Sequence, residues 1–298
     1  MAQTLLGAIS SPRVFSPSRT KTWDTCNLRV QIEHEGWVLK VADRSWYSRV
    51  AGAAFAKGVM PIHAAMAQKL PLSDADKRAA VDLAKSVFDK EVQRFVKAGG
   101  SLNESDVQSA LNDTVKGLGR YSTYVPHPFQ NWAITDIERG LGLDFGNCII
   151  DIGGTDGSGN RAFADIKFKR NLDARYVEKT IEEYRYDWQF LHYAWALGKL
   201  EGRPVRGYLC LVVLNPTFSI RMVPFDYSPQ LLMMFEQSGR AKWELMAKQA
   251  SGEITTPMAS EHNGKFGPLP CTLACLKYNL DPILMRNSYI QIKRDDGN

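Results

Sequence analysis

Hydrophobic periodicity divides the chain into a helical first part and a mixed second part. Up to residue 125, apolar positions recur at helical spacing, and Ser18 and Ser73 stand where helices begin. The spacing predicts helices over 18–34, 44–70, 73–98 and 101–118. The second is expected to break or kink near Gly58 and Pro61, and Gly119 is expected to end the fourth.

After Pro126, short segments rich in β-branched and aromatic residues alternate with turns. WAITDIERGL, NCIIDIGG and AFADIKFKR predict a three-stranded meander, with TDGSGN as the turn between the last two. The pattern then predicts a long helix over 177–200, strands over 205–215 and 217–225, and a helix over 229–249. This order predicts an α/β or α+β fold with a central mixed sheet.

Composition narrows the class of protein. The 298 residues carry a net charge of +5, which permits an anionic partner without requiring one. No apolar run approaches the roughly 18 residues that span a bilayer, and the first residues do not read as a secretory signal. Five cysteines, an odd number, favour a reducing compartment. We therefore expect a cytoplasmic protein with no membrane partner.

The segment AFADIKFKR carries the first candidate chemistry. Its charged side chains, Asp165, Lys167 and Lys169, alternate with Ala164, Ile166 and Phe168. The apolar set is expected to face the core, and the charged set to face solvent or a cleft. Asp151 ends the preceding strand, so a hairpin can bring its carboxylate beside that of Asp165. Two converging carboxylates and a lysine suit Mg²⁺- or Mn²⁺-assisted phosphodiester hydrolysis, whereas a lone D-x-K is more often a solvated strand face.

These residues also resemble a known family. IID, thirteen residues and then DIK resemble the core of the PD-(D/E)XK nuclease superfamily. GVMPIH, ending at His63, resembles the G-x-x-x-x-H motif of its RecB-like branch, and Gln189 and Tyr193 match a Q-x-x-x-Y motif. SPSRTKTWDTCNLR resembles the N-terminal motif of that branch, although within this segment only one arginine follows Cys26. In the family, a glycine usually stands a few residues before the first metal-binding aspartate. In this chain the glycine, Gly146, stands further back from Asp151.

The resemblance implies a restriction-endonuclease-like core, formed by residues 126–250, with a central mixed sheet flanked by helices. An N-terminal helical region, 1–125, would contribute the His63 motif. A tail, 251–298, would pack back on that region within one integrated domain. The implied activity is that of a standalone, metal-dependent deoxyribonuclease, an exonuclease of recombination, repair or DNA processing in a bacterium or phage. DNA is the implied partner, and a homo-oligomer or a recombination partner protein stays open.

The resemblance also implies roles for individual residues. Mg²⁺ or Mn²⁺ would be held by Asp151, Asp165, His63 and the Ile166 carbonyl, and Lys167 would position or help to deprotonate a water. Glu138 would supply an acidic group on the first core strand, and Gln189 would orient the lysine or a phosphate. Tyr193 would line the DNA path, and phosphates would be contacted by Lys169, Arg170 and Arg175. The structural alternatives are a satisfied helix histidine at His63, a packed or hydrogen-bonded pair at Gln189 and Tyr193, and a solvated side chain at Glu138.

The cysteines raise a separate question. Members of the resembled family hold a [4Fe–4S] cluster with one N-terminal and three C-terminal cysteines, and this chain offers Cys26, Cys271 and Cys275. Asp281 stands at the fourth place. Three readings stay open: a cluster with Asp281 as oxygen ligand, a zinc site, or three ordinary thiols. Cys148 and Cys210 lie in apolar strands and are expected in the core.

Two other function classes compete with the nuclease. A non-catalytic DNA-binding or scaffold protein could use the same fold with a decayed site, because fold does not fix function. An unrelated enzyme with a small-molecule substrate could be read from GGTDGSG. That segment lacks the lysine and the following helix of a phosphate-binding loop, and a hairpin turn explains it better.

Overall fold

A computed structural model describes residues 37–39, 46–97, 100–143, 146–250, 263–264, 267–268 and 289–291. The first strand and four helices are β1 Trp37–Leu39, α1 Trp46–Gly58, α2 Met60–Ala67, α3 Asp74–Lys97 and α4 Glu104–Ser122. The break predicted near Gly58 is confirmed, since Val59 separates α1 from α2. The predicted cap of α3 is also confirmed, because the Ser73 hydroxyl accepts a hydrogen bond from the Asp76 N–H at 3.2 Å.

Helix α4 differs from its prediction at both ends. Its N-cap is Asn103, whose side chain accepts a hydrogen bond from the Ser105 N–H. The helix passes Gly119 and continues to Ser122. Leu118 and Tyr121 are both buried, and their packing outweighs the cost of about 1 kcal/mol for a glycine within a helix.

The second part of the chain forms the sheet. Its strands are β2 Ala133–Leu143, β3 Gly146–Thr155, β4 Arg161–Asn171, β5 Arg206–Asn215 and β6 Ser219–Phe225. Within the described residues they form one five-stranded sheet in the order β2-β3-β4-β5-β6. Strands β4 and β5 run parallel, and the other neighbours are antiparallel. The predicted α/β fold, with a central mixed sheet, flanking helices and an N-terminal helical region, is confirmed.

The predicted helix over 177–200 is in fact two helices, α5 Ala174–Arg185 and α6 Trp188–Glu201. Asp187 causes the second start, because its side chain accepts a hydrogen bond from the Gln189 N–H at 2.9 Å. Helix α7, Pro229–Ala250, follows β6, and the short strands β7 Asn263–Gly264 and β8 Gly267–Pro268 pair with each other. The last strand, β9 Tyr289–Gln291, pairs with β1.

Two apolar cores lie on opposite faces of the sheet. On the N-terminal face, helices α1 to α4 cover the sheet, and the Phe55 ring stacks on the Phe168 ring at 4.4 Å. On the α6 face, Phe163 packs against Phe190 and Tyr193. Strand β4 is therefore covered on both sides, and Asp165 is only 1% exposed. The charged face of β4 lies beneath α6 rather than in open solvent.

One stretch of the described chain, Arg49–Ala67, is long and apolar enough to cross a membrane by length and composition alone. It coincides with α1 and α2, and half of it is buried inside the protein. Those helices pack on α3, α4 and β4, as expected of core helices.

Candidate active site

A gap opens between the two central strands of the sheet. Pairing between β3 and β4 runs from Thr155↔Arg161 to Ile152↔Ala164 and then stops, although β4 continues to Asn171. We call this gap the notch. Asp151 lies at its apex, where one carboxylate oxygen, Oδ2, accepts a hydrogen bond from the Ile166 N–H at 3.0 Å. The Asp151 side chain thus takes over a backbone donor that has lost its strand partner.

Beside the notch, the inward-facing side chains of β2 and β3 switch from one face of the sheet to the other. Ile150 packs into the core on the α6 face, whereas Ile152 packs into the opposite core. Residues two apart in a regular strand would share one face. Glu138, opposite Asp151 in the register, has a φ of +50°, a rare conformation for a residue other than glycine. Such backbone outliers cluster at functional sites.

A second group of side chains lines the α6 side of the notch. The Lys167 Nζ lies 2.7 Å from Oδ2 of Asp165 and donates a hydrogen bond to Oε1 of Gln189 at 3.3 Å. The Gln189 amide nitrogen in turn donates to Oδ1 of Asp165 at 3.0 Å and to the Tyr193 hydroxyl at 2.6 Å. Strand β4 and helix α6 therefore hold the lysine and the acid in one closed network.

The charges in this network are unbalanced. Burial, followed by repulsion from Asp165, raises the pKa of Asp151 to about 7, despite the opposing effect of Lys167. Burial also raises the pKa of Asp165. Burial alone would lower the pKa of Lys167, but the charges of Asp165 and Asp151 hold it above its usual value. Two carboxylates thus share one ammonium group, and the site lacks positive charge.

The oxygen atoms at the notch fit a divalent cation. Among the described residues, Oδ1 of Asp151 has no hydrogen-bond partner. The Ile166 N–H faces the notch, and the carbonyl of the same residue in an extended strand points the same way. Within the described ranges, no three His, Cys, Asp or Glu residues form a group that could hold a metal ion. Mg²⁺ is nevertheless often held by one or two carboxylates plus substrate phosphates and water.

Among the described residues, His63 contacts aromatic side chains. It is buried in α2, its Nε2 is 2.8 Å from the Tyr121 hydroxyl, and its ring packs against Phe129. Burial, assisted by His127, lowers its pKa to about 3. These contacts are those of a satisfied core histidine, and the role of His63 as a metal ligand stays a prediction.

Three predicted DNA contacts are placed differently from expectation. The Arg170 Nε lies 2.9 Å from Oδ2 of Asp113 on α4, so its charge is already paired. Arg175 is exposed but pairs with Asp173, the N-cap of its own helix. Tyr193 is buried and cannot line a DNA path, because its hydroxyl serves Gln189.

The phosphate contact expected of Lys169 stays a prediction. This residue lies next to Lys167 along the charged face of β4. Burial, then the charge of Lys167, lowers its pKa.

Two residues that the sequence did not single out belong to the site. Lys57, on α1, forms an ion pair with Glu138. The Tyr184 ring, at the end of α5, lies 5.6 Å from the Lys167 Nζ. Lys57 directly precedes GVMPIH, and Tyr184 stands three residues before the Asp187 cap. Neither position carries a periodic signal, because each contact joins residues that are distant in the chain.

The predicted cysteine site lies outside the described residues. This holds for Cys26, Cys271, Cys275 and Asp281, so the cluster, the zinc site and the ordinary thiols remain predictions. Cys148 and Cys210 are buried free thiols, as expected of core residues.

Comparisons with known proteins add little. No family model and no curated protein matches the chain. Among solved structures, it is similar to a protein of Eubacterium rectale named "Putative exonuclease", with 15% sequence identity and a TM-score of 0.39. The match covers 59% of this chain and 66% of that chain, just under two thirds. A similarity at this level carries no argument about activity.

Proposed function

We propose that this protein is a metal-dependent deoxyribonuclease, an exonuclease that hydrolyses phosphodiester bonds of DNA in recombination, repair or DNA processing. The observation that carries the proposal is the convergence of Asp151, Asp165 and Lys167 at the notch. Two acidic groups and a cation at a gap in the sheet suit a phosphate that approaches from outside. The proposal places the enzyme in the cytoplasm of a bacterium or of a phage-infected cell.

Each residue of the notch has a task in this reaction. A Mg²⁺ or Mn²⁺ ion held by Asp151, Asp165 and the Ile166 carbonyl would polarise the phosphorus centre and lower the pKa of a water. Since its pKa is raised, Lys167 stays protonated near neutral pH. In the proposed reaction it would stabilise negative charge on the phosphate, or position or help to deprotonate the attacking water.

Gln189 and Tyr193 keep this lysine in place. The Gln189 amide contacts both Lys167 and Asp165, so its position sets the direction of the ammonium group. The buried Tyr193 hydroxyl fixes the amide from one helical turn further along α6. We assign both as positioning residues, whose loss would lower activity through Lys167.

The direct test is hydrolysis of end-labelled DNA by the purified protein with Mg²⁺ or Mn²⁺. We expect cleavage by the wild type, none after EDTA treatment, and strong losses in Asp165→Ala and Lys167→Ala. Separate 5′ and 3′ labels on single- and double-stranded DNA give the polarity. Equal activity in all three proteins would refute the assigned site.

A second candidate is a non-catalytic DNA-binding protein on the same fold. It is favoured by the position of His63 in the core and by the lack of a three-ligand metal group in the described part of the chain. Titration with Mn²⁺ separates the two candidates. DNA binding without any affinity for divalent cations would support the non-catalytic protein.

A further inference from the structure

The ion pair between Lys57 and Glu138 stands beside the apex of the notch. Ile137 pairs with Ile152 and Arg139 with Ile150, so Glu138 falls opposite Asp151. The two carboxylates are close enough to interact, because the charge of Glu138 contributes to the raised pKa of Asp151. Lys57 reaches this point from α1, on the N-terminal face, whereas Lys167 is held on the α6 side by Gln189. Two lysines thus flank the same group of carboxylates.

The two lysines are held very differently. Lys167 contacts a carboxylate that is 1% exposed, and it also bonds to Gln189. In the Lys57–Glu138 pair, the side chains are 41% and 25% exposed, and Lys57 contacts no second acceptor within the described part of the chain. Exposed ion pairs of this kind contribute little stability, and a phosphate is a strong competing acceptor for an ammonium group. Lys57 is therefore the lysine that can exchange partners.

An exchange of partner by Lys57 would change the net charge at the notch. Three carboxylates, Glu138, Asp151 and Asp165, face two lysines at the notch. If Lys57 turned to a phosphate, the three carboxylates in their ionised forms would carry three negative charges against the one positive charge of Lys167. The difference of two negative charges is the charge that one divalent cation neutralises.

We propose that Lys57 changes its ion-pair partner when the substrate binds. Its ammonium group leaves Glu138 for a backbone phosphate of the bound DNA, and the freed Glu138 carboxylate joins Asp151 as a ligand of the divalent cation. Binding of the polyanion thereby strengthens binding of the cation. This inference rests on the proposed nuclease function and names the residue that couples its substrate to its metal. By linkage, the cation strengthens DNA binding by the same factor.

The test is calorimetric titration of the DNA-free protein with Mn²⁺, which needs no turnover. Lys57→Met removes the competing ammonium, so we expect it to bind Mn²⁺ roughly threefold to tenfold more tightly than the wild type. Adding Glu138→Gln to Lys57→Met should abolish that gain. Lys77→Met is the matched control, because Lys77 is also 41% exposed and ion-paired, but with Asp74 on α3. It should leave Mn²⁺ affinity unchanged.

A second titration measures the coupling itself. A phosphorothioate oligonucleotide that resists cleavage should tighten Mn²⁺ binding by the wild type and have a much smaller effect on Lys57→Met. Thermal melts of each variant show whether it is folded.

The outcomes separate this inference from the nuclease proposal. If the wild type binds Mn²⁺ through Asp151, and Lys57→Met binds it no more tightly, the exchange is overturned and the metal site stands. If neither protein binds Mn²⁺ at millimolar concentration, the metal site and the exchange both fall.

Discussion

At the residue scale, the two lysines of AFADIKFKR have separate positions. Lys167 contacts Asp165 and Gln189, whereas Lys169 lies further along β4 with a lowered pKa. The family resemblance assigned chemistry to the first lysine and a phosphate contact to the second. It could not supply Lys57 or Tyr184, because nothing local marks a side chain that reaches the site from a distant helix.

We expect Lys167→Met to lower the cleavage rate constant by about 10²–10³-fold, because it removes a preorganised cation from the reacting phosphate. Lys169→Met should instead weaken DNA binding and reduce its salt dependence by roughly one released ion. Rapid-quench kinetics with protein in excess, together with binding isotherms at several salt concentrations, distinguish the two effects. Equal rate constants for the two variants would contradict the assignment.

The pKa of Asp151 makes a prediction about stability. Its folded value of about 7 exceeds the ordinary 3.8, so between these values the folded state binds more protons than the unfolded state. The metal-free protein should therefore lose stability as the pH rises from about 4 to about 7. Asp151→Asn removes the buried charge, and it should raise Tm more at pH 8 than at pH 4. Melting curves in EDTA measure this, and a pH-independent difference in Tm would count against it.

At the element scale, local patterns predicted the strands β2 to β6 and the helices α1 to α4 and α7, but they missed the break between α5 and α6. The predicted helix over 18–34 lies outside the described residues. The alternating segments became β2, β3 and β4, and the break at Gly58 was visible from glycine and proline. The break between α5 and α6 was not, because apolar spacing runs across it and the Asp187 cap competes with continuation. That cap matters for function, since α6 begins with the turn that carries Gln189.

Two N-caps provide a matched pair of variants. Asp187→Ala and Asn103→Ala each remove a side chain that accepts a hydrogen bond from the N–H two residues later. Each should lower the free energy of unfolding by about 1 kcal/mol in urea denaturation. Only Asp187→Ala should also lower the cleavage rate, because it loosens Gln189. Equal activity of the two variants would mean that the start of α6 does not position the site.

Two glycines of α4 should respond to alanine in opposite ways. Nothing lies within 4 Å of a Cβ at Gly119, so Gly119→Ala should stabilise the protein by about 0.5–1 kcal/mol. At Gly117, a Cβ would stand 2.8 Å from the Phe168 ring and 3.2 Å from the Phe55 ring. Gly117→Ala should therefore cost about 1–3 kcal/mol by overpacking the stacked rings. Urea denaturation measures both, and stabilisation by Gly117→Ala would show that α4 can shift away from β4.

At the scale of the whole molecule, the site depends on how the sheet is assembled. The notch exists because β3 and β4 separate after Ile152 and Ala164, while β4 stays paired with β5. A buried network supports the opposite end of these strands, where Arg161 contacts Asp136 at 2.6 Å and Glu201 at 2.9 Å. Arg139 also lies 3.1 Å from Asp136, so two arginines hold this acid.

Sequence reasoning reached the carboxylates but not the notch. A hairpin could be inferred between Asp151 and Asp165, because Asp151 ends one strand-like segment, Asp165 lies in the next, and a turn connects the two. The separation of the strands and their common change of face depend on packing in two cores, which no local pattern records. The placement of His63 also went beyond local pattern, since its neighbours Tyr121 and Phe129 come from other segments.

The most direct measurement of the central claim is single-turnover cleavage of labelled DNA in Mn²⁺ by the wild type, Asp151→Asn, Asp165→Asn and Lys167→Met. DNA binding by each protein is measured in parallel. We expect the wild type to cleave, and all three variants to bind DNA yet cleave at least about 100-fold more slowly. Cleavage at the wild-type rate by the three variants, or no cleavage by a wild type that binds both DNA and Mn²⁺, would contradict a hydrolytic site at the notch.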